Sequence, residues 1–306
     1  MMRAAATGLV LLACVGAASA QSTEHITVTG TRSRPVIDSF VQSFAAPARM
    51  TGKIARWEEG ICPTALGLKP AFLKFVLQRV RAVAAQVGAP VNPDAACKPN
   101  LEIVFTTTPQ ALADGLKKDH EIYLGYADNA GQRAALAKVT HPIQAWYATQ
   151  TKDLRGMAEV GNLKGGGVEL QFVDPVVPNL IITMTMPHGH GRNVTCSRLG
   201  DGLHSSFHHV IIAANPDKLV DHEIGALADY ISLLALTQLD SLDICQQLPS
   251  IVNLLAPGCA RPAGALTEND LAYLRGLYHM GADRNVRVQK DEIAYQMEQS
   301  LKGSEP

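Results

Sequence analysis

The residues with the clearest chemical potential are His222 and Glu223, which begin the run His-Glu-Ile-Gly-Ala. In the helical pattern His-Glu-x-x-His, two imidazoles one turn apart bind zinc, and the glutamate accepts a proton from the metal-bound water. Ala226 occupies the position of the second histidine, and a methyl group cannot bind a metal. The motif therefore provides one ligand, His222, and one general base, Glu223. Asp229, two turns further on, is the next side chain on the same predicted face that can bind a metal.

A second set of candidate metal ligands consists of histidines. His188 and His190 are two residues apart in Pro-His-Gly-His-Gly, and His204 and His208 lie near the start of the next predicted strand. Neutral imidazoles bind zinc and copper, so pairing of the flanking strands would bring these four side chains to one loop end. The alternative is an exposed glycine-rich turn followed by a strand whose successive residues point to opposite faces. The sequence leaves both interpretations open.

Hydrophobic periodicity predicts the helix that would position His222 and Asp229. This central helix spans about 216–238, and its apolar face comprises Val220, Ile224, Leu227, Ile231 and Leu234. His222, Ala226 and Asp229 then share the opposite face, which faces either a cleft or water.

The predicted elements follow the order helices, then strands, then helices. The clearest are helices over 69–87 and 267–278 and strands over 101–105, 143–149 and 207–213. The predicted buried face of the helix over 69–87 comprises Phe72, Phe75, Val76, Val80, Val83 and Val87. This order favours a single α+β domain over 35–303, with a small mixed sheet, the central helix and C-terminal helices.

Two segments resemble the matrixin-type metallopeptidases, whose fold is called zincin-like. The run from His222 to Leu227 is similar to the start of their zinc-binding helix. The run from Leu266 to Tyr278, which begins with Leu-Thr-x-x-Asp, is similar to the closing helix of their catalytic domains. The resemblance covers about the last third of the mature chain. It implies a zincin-like domain and kinship with bacterial exported proteins that carry a degenerate version of this helix.

The chain departs from the metallopeptidase pattern at every other metal position. Besides Ala226, Ser232 and Leu233 stand where a third ligand is expected, and no methionine lies between Tyr230 and Ala265. Catalytic zinc normally holds three protein ligands. The resemblance therefore implies a scaffold that has lost its metal chemistry. No cofactor is expected, and zinc is the one metal that the surviving residues leave open.

The first twenty residues predict an export signal. Arg3 precedes a short apolar run, and Ala18-Ser19-Ala20 is a small-residue cleavage site before Gln21. An alternative is a lipobox ending at Cys14, which would make that residue a lipidated N-terminus. Residues 21–34 are expected to form an exposed segment, and residues 25–32 are similar to the segment near the start of mature TonB-dependent receptors. We therefore expect a periplasmic or secreted protein of a Gram-negative envelope.

Five cysteines follow the predicted cleavage site, and an oxidising compartment favours disulfides. Cys62 and Cys97 flank one long helical segment, whereas Cys245 and Cys259 flank a short one. We predict these two pairings, which leave Cys196 without a disulfide partner.

The bulk composition narrows the classes of function. A formal net charge of -1 gives no electrostatic footprint for nucleic acid, and no apolar run after the signal reaches the length of a membrane span. The sequence favours a non-catalytic exported protein that binds a peptide, another envelope protein or a small ligand. Two alternatives stay open: a metal-dependent hydrolase that uses Glu223 as base with atypical ligands, and a metal-binding protein built on the histidine loop.

Overall fold

A mixed five-stranded sheet lies at the centre of the computed structural model, which describes residues 33–94, 96–153, 158–160, 169–173, 181–185, 202–260 and 262–303. The strand order is β3 (Pro63–Leu66), β4 (Leu101–Phe105), β9 (Leu203–Ala214), β5 (Ile143–Asp153) and β6 (Ala158–Val160). Strands β3, β4 and β9 run parallel, whereas β5 is antiparallel to both β9 and β6.

The other elements of the described residues are mainly helices. They are α1 (Arg34–Phe44), α2 (Pro70–Gln86), α3 (Pro109–Asp119), α4 (Ala130–Leu136), α5 (Ile224–Leu236), α6 (Glu268–His279) and α7 (Val286–Lys302). Two antiparallel pairs join β1 (Pro47–Ala48) to β2 (Lys53–Ile54) and β7 (Glu169–Val173) to β8 (Ile181–Thr185). Short 3-10 helices span Glu121–Leu124, Pro216–Lys218 and Ile251–Leu254. The predicted α+β class is confirmed. In the part of the chain that the structure describes, no helix is both long and apolar enough to cross a membrane.

The sheet is covered on both faces because its central strands are apolar on both faces. Val210, Ile212 and Ala214 of β9 face the larger core, whereas Ile211 and Ala213 face the smaller one. A near-continuous apolar run of this kind is typical of a strand buried between two layers. Residues of α1, α2, α5, α6 and α7 build the larger core, and α3 with the 3-10 helix Glu121–Leu124 covers the other face.

The N-terminal boundary of the folded region lies slightly earlier than predicted. Arg34, assigned from the sequence to the exposed segment 21–34, is the first residue of α1. Its Nε donates a hydrogen bond of 2.7 Å to Asp38, and its guanidinium lies 3.4 Å from Glu298 on α7. The contact with Glu298 ties the first turn of α1 to the last helix. The predicted signal over 1–20 lies outside the described residues.

Both predicted disulfides are confirmed. Cys62–Cys97 joins the residue before β3 to the segment before β4, and Cys245–Cys259 closes a loop between α5 and α6. Two disulfides are compatible with a protein exported to an oxidising compartment. Cys14 and Cys196 lie outside the described residues.

Helix α2 forms where predicted, but its first two turns are less buried than the pattern indicates. Val76, Val80 and Val83 are fully buried in the larger core. Phe72 and Phe75, which precede them, are 45% and 43% exposed. The prediction that these two rings are buried is wrong, since they lie at the edge of the core rather than within it.

The predicted central helix over 216–238 is wrong in its first two turns. A 3-10 helix at Pro216–Lys218 is followed by a turn, and α5 starts only at Ile224. The Asn215 side chain accepts a hydrogen bond from the Asp217 amide, which favours this short turn over a continuous helix. Val220, predicted on the buried face, is 76% exposed. From Ala226 to Leu236, α5 is buried on every side, so its apolar pattern is not an amphipathic stripe.

The link from β3 to α2 requires a glycine at position 67. This residue has φ +91°, and a Cβ built there would overlap the carbonyl oxygen of Phe105 at the end of β4. Gly52 has φ +64° with nothing near a built Cβ, so it is the matched control for backbone strain alone. We expect Gly67→Ala to lower the free energy of unfolding by about 2 kcal/mol more than Gly52→Ala. Urea denaturation measures this difference. Equal losses of unfolding free energy in the two variants would show that the close approach of Gly67 to the Phe105 carbonyl does not limit stability.

Candidate functional site

His222 and Glu223 lie in the turn that precedes α5, not on the helix. The His222 amide donates to the carbonyl of Leu219 at 3.1 Å, which closes the turn. Glu223 is the exposed N-cap of α5, and its carbonyl accepts from the Leu227 amide at 3.1 Å. The two candidate residues are therefore neighbours in a turn and do not share a helical face with Asp229.

Asp229 is turned into the protein, where it holds three elements together. Its side chain is 5% exposed and forms an ion pair with Arg79 of α2. Its second oxygen accepts a hydrogen bond of 2.9 Å from the Leu266 amide, just before α6. The hydrogen bond to this carboxylate raises the pKa of the Arg79 guanidinium above its usual value. The structure thus places Asp229 in a structural contact between α2, α5 and the start of α6, separate from His222.

His204, a member of the second candidate set, belongs to a charged cluster at one end of the sheet. Its Nε2 lies 3.1 Å from Oε2 of Glu58, and Lys152 on β5 lies 3.3 Å from the same oxygen. Burial raises the pKa of the Glu58 carboxyl, but the hydrogen bonds and charges of His204 and Lys152 outweigh it and leave the pKa lowered. In this arrangement His204 pairs with the carboxylate of Glu58.

Of the other histidines in that set, the structure describes His208 alone. His208 lies on β9 where the pairing with β5 shifts register between Ala148 and Thr149. His188 and His190 lie outside the described residues. Among the residues that the structure describes, no three His, Cys, Asp or Glu side chains are placed to hold a metal ion.

A buried acid–imidazole pair escaped the sequence analysis. His209 Nε2 lies 3.4 Å from Oε1 of Glu102, and the two side chains are 5% and 2% exposed. The ring of Tyr123 packs edge-on against His209 with centroids 5.1 Å apart. Burial, and then the charge of Glu102, raise the pKa of the Tyr123 hydroxyl. Because this cluster is closed to solvent inside the smaller core, it is a structural contact rather than a substrate site. In the sequence, the one feature that indicates this pair is Glu102, a glutamate within the otherwise apolar strand β4.

An apolar groove of about 310 Å³ lies beside His222. Its walls include Leu68, Phe72, Phe105, Leu219, Ile224 and Leu227, and His222 is the single polar side chain among the lining residues. Phe105 is the last residue of β4, Leu68 follows the end of β3, and the 3-10 helix after β9 contributes Pro216. The groove therefore lies at the carboxyl ends of three parallel strands. This is where ligands generally bind in open sheets with parallel strands.

The groove could not be recognised from the sequence because its walls come from three separate segments. The partial exposure of Phe72 is the feature that reveals it, and periodicity predicts that ring to be buried. His222 and Leu227 line one surface, whereas the sequence pattern predicted them on opposite faces of a helix.

Comparison of the chain with protein-family models, curated proteins and solved structures found no match. The groove and the placement of His222 are therefore the observations on which a function can rest.

The position of Asp229 generates a prediction about stability. Arg79→Ala leaves a buried carboxylate without its cation, so we expect it to lower the free energy of unfolding by about 3 kcal/mol. Adding Asp229→Asn to that variant removes the unpaired charge and should recover about 1 kcal/mol or more. Urea denaturation of the single and double variants measures both effects.

Arg81 provides the control, since it lies on the same helix and donates to the Asn92 carbonyl rather than to a carboxylate. We expect Arg81→Ala to cost about 1 kcal/mol or less. If Arg79→Ala costs no more than Arg81→Ala, the contact between α2 and α5 does not depend on this ion pair.

Proposed function

We propose that this chain is an exported binding protein that holds an apolar segment of a peptide or envelope protein in the groove beside His222. The observation that carries the proposal is the groove itself, with its almost wholly apolar walls at the carboxyl ends of β3, β4 and β9. Apolar walls with one polar group that fixes orientation are typical of binding sites.

The surface around the groove favours a peptide or protein over a small molecule. Phe72 and Val220 line the groove and are also 45% and 76% exposed, and Phe75 extends the apolar surface along α2. A small ligand would be bound within the groove and would not need the apolar surface around it. An apolar surface that continues beyond it is more typical of a protein interaction site.

The rim of the groove has a polar character on both sides. Lys69, next to the lining residue Leu68, is exposed at the start of α2, whereas Asp221 and Glu223 are exposed on either side of His222. An apolar centre within a charged rim is the usual anatomy of a protein interface. This rim fits a partner segment whose apolar side chains are flanked by charges of both signs.

His222 acts in this proposal as the polar contact that orients the bound segment. An imidazole can donate or accept a hydrogen bond, which suits the backbone of an extended peptide. Peptidase chemistry at His222 forms no part of the proposal. The positions one and two turns into α5 are Ala226, which has no ligand atom, and Asp229, which is engaged with Arg79 and Leu266.

The periplasm or the exterior of a Gram-negative cell is the proposed location. The expected signal at 1–20 and the two disulfides support it. The resemblance to matrixin-type metallopeptidases stays a prediction, and the binding function does not depend on it.

Peptide selection tests the proposal. We expect a phage-displayed random library, panned on the exported protein, to yield peptides that share apolar side chains. Val220→Asp places a charge at the groove without disturbing the core, because Val220 is 76% exposed. This variant should weaken the binding of selected peptides at least tenfold, which is about 1.4 kcal/mol, as measured by calorimetry.

Tyr295 on α7 is the matched control, since it is 52% exposed and lies outside the groove. Tyr295→Asp should leave the affinity for the same peptides unchanged. The proposal would be wrong if the selected peptides bound both variants equally well, or if the library yielded no sequences with a common apolar pattern.

A further inference from the structure

A second pocket, of about 220 Å³, lies near the C-terminal end of α5. It is formed between the segment that enters β5 and the loop that follows α5, with Tyr147 and Leu234 contributing to its walls. Leu227 of the apolar groove and Leu234 of this pocket are separated by about 10 Å along the helix axis. The two sites are therefore distinct, and a function of this pocket does not depend on binding in the apolar groove.

Three side chains in this pocket form a continuous hydrogen-bonded chain. Oδ1 of Asp243 lies 3.0 Å from Nε2 of His141, and Nδ1 of His141 lies 2.9 Å from Oγ1 of Thr140. A carboxylate can only accept, so Nε2 carries the imidazole hydrogen. Nδ1 is then the unprotonated nitrogen and accepts the Thr140 hydroxyl hydrogen. The order hydroxyl, base, carboxylate is the arrangement that activates a nucleophile in acyl transfer.

The backbone fixes the hydroxyl and the imidazole. Pro142 follows His141 and restricts its backbone to extended conformations, and its carbonyl accepts from the Asn215 amide at 2.8 Å. The Thr140 amide donates to Oε1 of Gln144 at 3.1 Å. The segment that bears the nucleophile and base is therefore anchored to the end of β9 and to β5.

The loop that bears the carboxylate is held at both of its ends. The Asp240 amide donates to the Phe44 carbonyl at 3.1 Å, and the Asp243 amide donates to Oγ of Ser241 at 3.1 Å. Cys245, two residues further on, is covalently joined to Cys259. Rigid support of this kind keeps an orienting carboxylate in place.

We infer that this pocket hydrolyses short carboxylic esters, with Thr140 as nucleophile, His141 as general base and acid, and Asp243 as the residue that orients His141. The Thr140 Oγ forms a bond to the carbonyl carbon while its proton passes to Nδ1 of His141. The bond from carbon to the alcohol oxygen then breaks, and the alcohol leaves with that proton. A water molecule next gives a proton to Nδ1 and attacks the acyl carbon, and Thr140 leaves with the proton. Ester and water become acid and alcohol, so no further reactant is needed.

The surroundings of the three residues define the substrate class. The pocket is small, and Thr140, Asp240 and Asp243 are exposed at its mouth, so short and soluble substrates have access. The carboxylates of Asp240 and Asp243 disfavour an anionic substrate. The hydroxyl of Ser241 accepts from the Asp243 amide and adds a further polar group to the pocket wall. Neutral or cationic short-chain esters are therefore the substrates that fit.

The probe for this activity is p-nitrophenyl acetate, used with the full exported protein. Acid quenching in the first turnovers, followed by peptide mapping, should find acetyl on Thr140. Thr140→Ala should lower kcat/KM at least about 100-fold and abolish the adduct, whereas Thr140→Ser should retain both. Asp243→Asn should slow formation of the adduct without moving it to another residue.

Controls separate this site from acyl transfer by any exposed imidazole. His279 is an exposed histidine whose Nδ1 lies 2.7 Å from the Arg275 carbonyl, so His279→Gln should leave the rate unchanged. Tyr295→Asp on α7, which lies outside both this pocket and the apolar groove, should also have no effect on the rate. A rate that survives Thr140→Ala in a variant with the wild-type melting temperature, or an acetyl group found on other residues only, would overturn the inference.

Discussion

The burial of α5 on all sides is the constraint on which the rest of the structure depends. Every residue from Ala226 to Leu236 is buried, because the helix is packed between the sheet and the other helices of the larger core. A helix in that environment can carry a charge only if the charge is paired. Asp229 meets the condition through Arg79 and the Leu266 amide, which ties α5 to α2 and to the start of α6.

The same constraint explains why the two candidate sites lie at the ends of α5. A polar side chain without a partner is costly in the buried middle of the helix, and His222 and Glu223 lie in the turn before it. That turn, with the first turns of α2, builds the apolar groove. At the other end, the hydroxyl of Tyr147 donates to the carbonyls of Leu234 and Thr237 and closes the helix against β5. The polar pocket with His141 lies beside this closure.

Local signals in the sequence predicted the parts of the fold that depend on local chemistry. Thr267 caps α6 in a capping box with Asp270, as its spacing indicates, and both disulfides follow from cysteines that flank helical segments. The start of α5 depends on the turn at Asn215, and the exposure of Phe72 depends on packing between distant segments; periodicity shows neither. The Glu102–His209 pair and the chain from Thr140 to Asp243 join residues about a hundred positions apart, so no motif within one segment could reveal them.

The central claim is that a partner segment occupies the groove beside His222. Hydrogen exchange, read by mass spectrometry with and without a library-selected peptide, tests this most directly. The account predicts slower exchange on peptide binding in residues 68–75 and 219–227, with no change around Thr140 and Asp243. Slower exchange confined to another surface, or no change in either groove segment at a saturating peptide concentration, would contradict it.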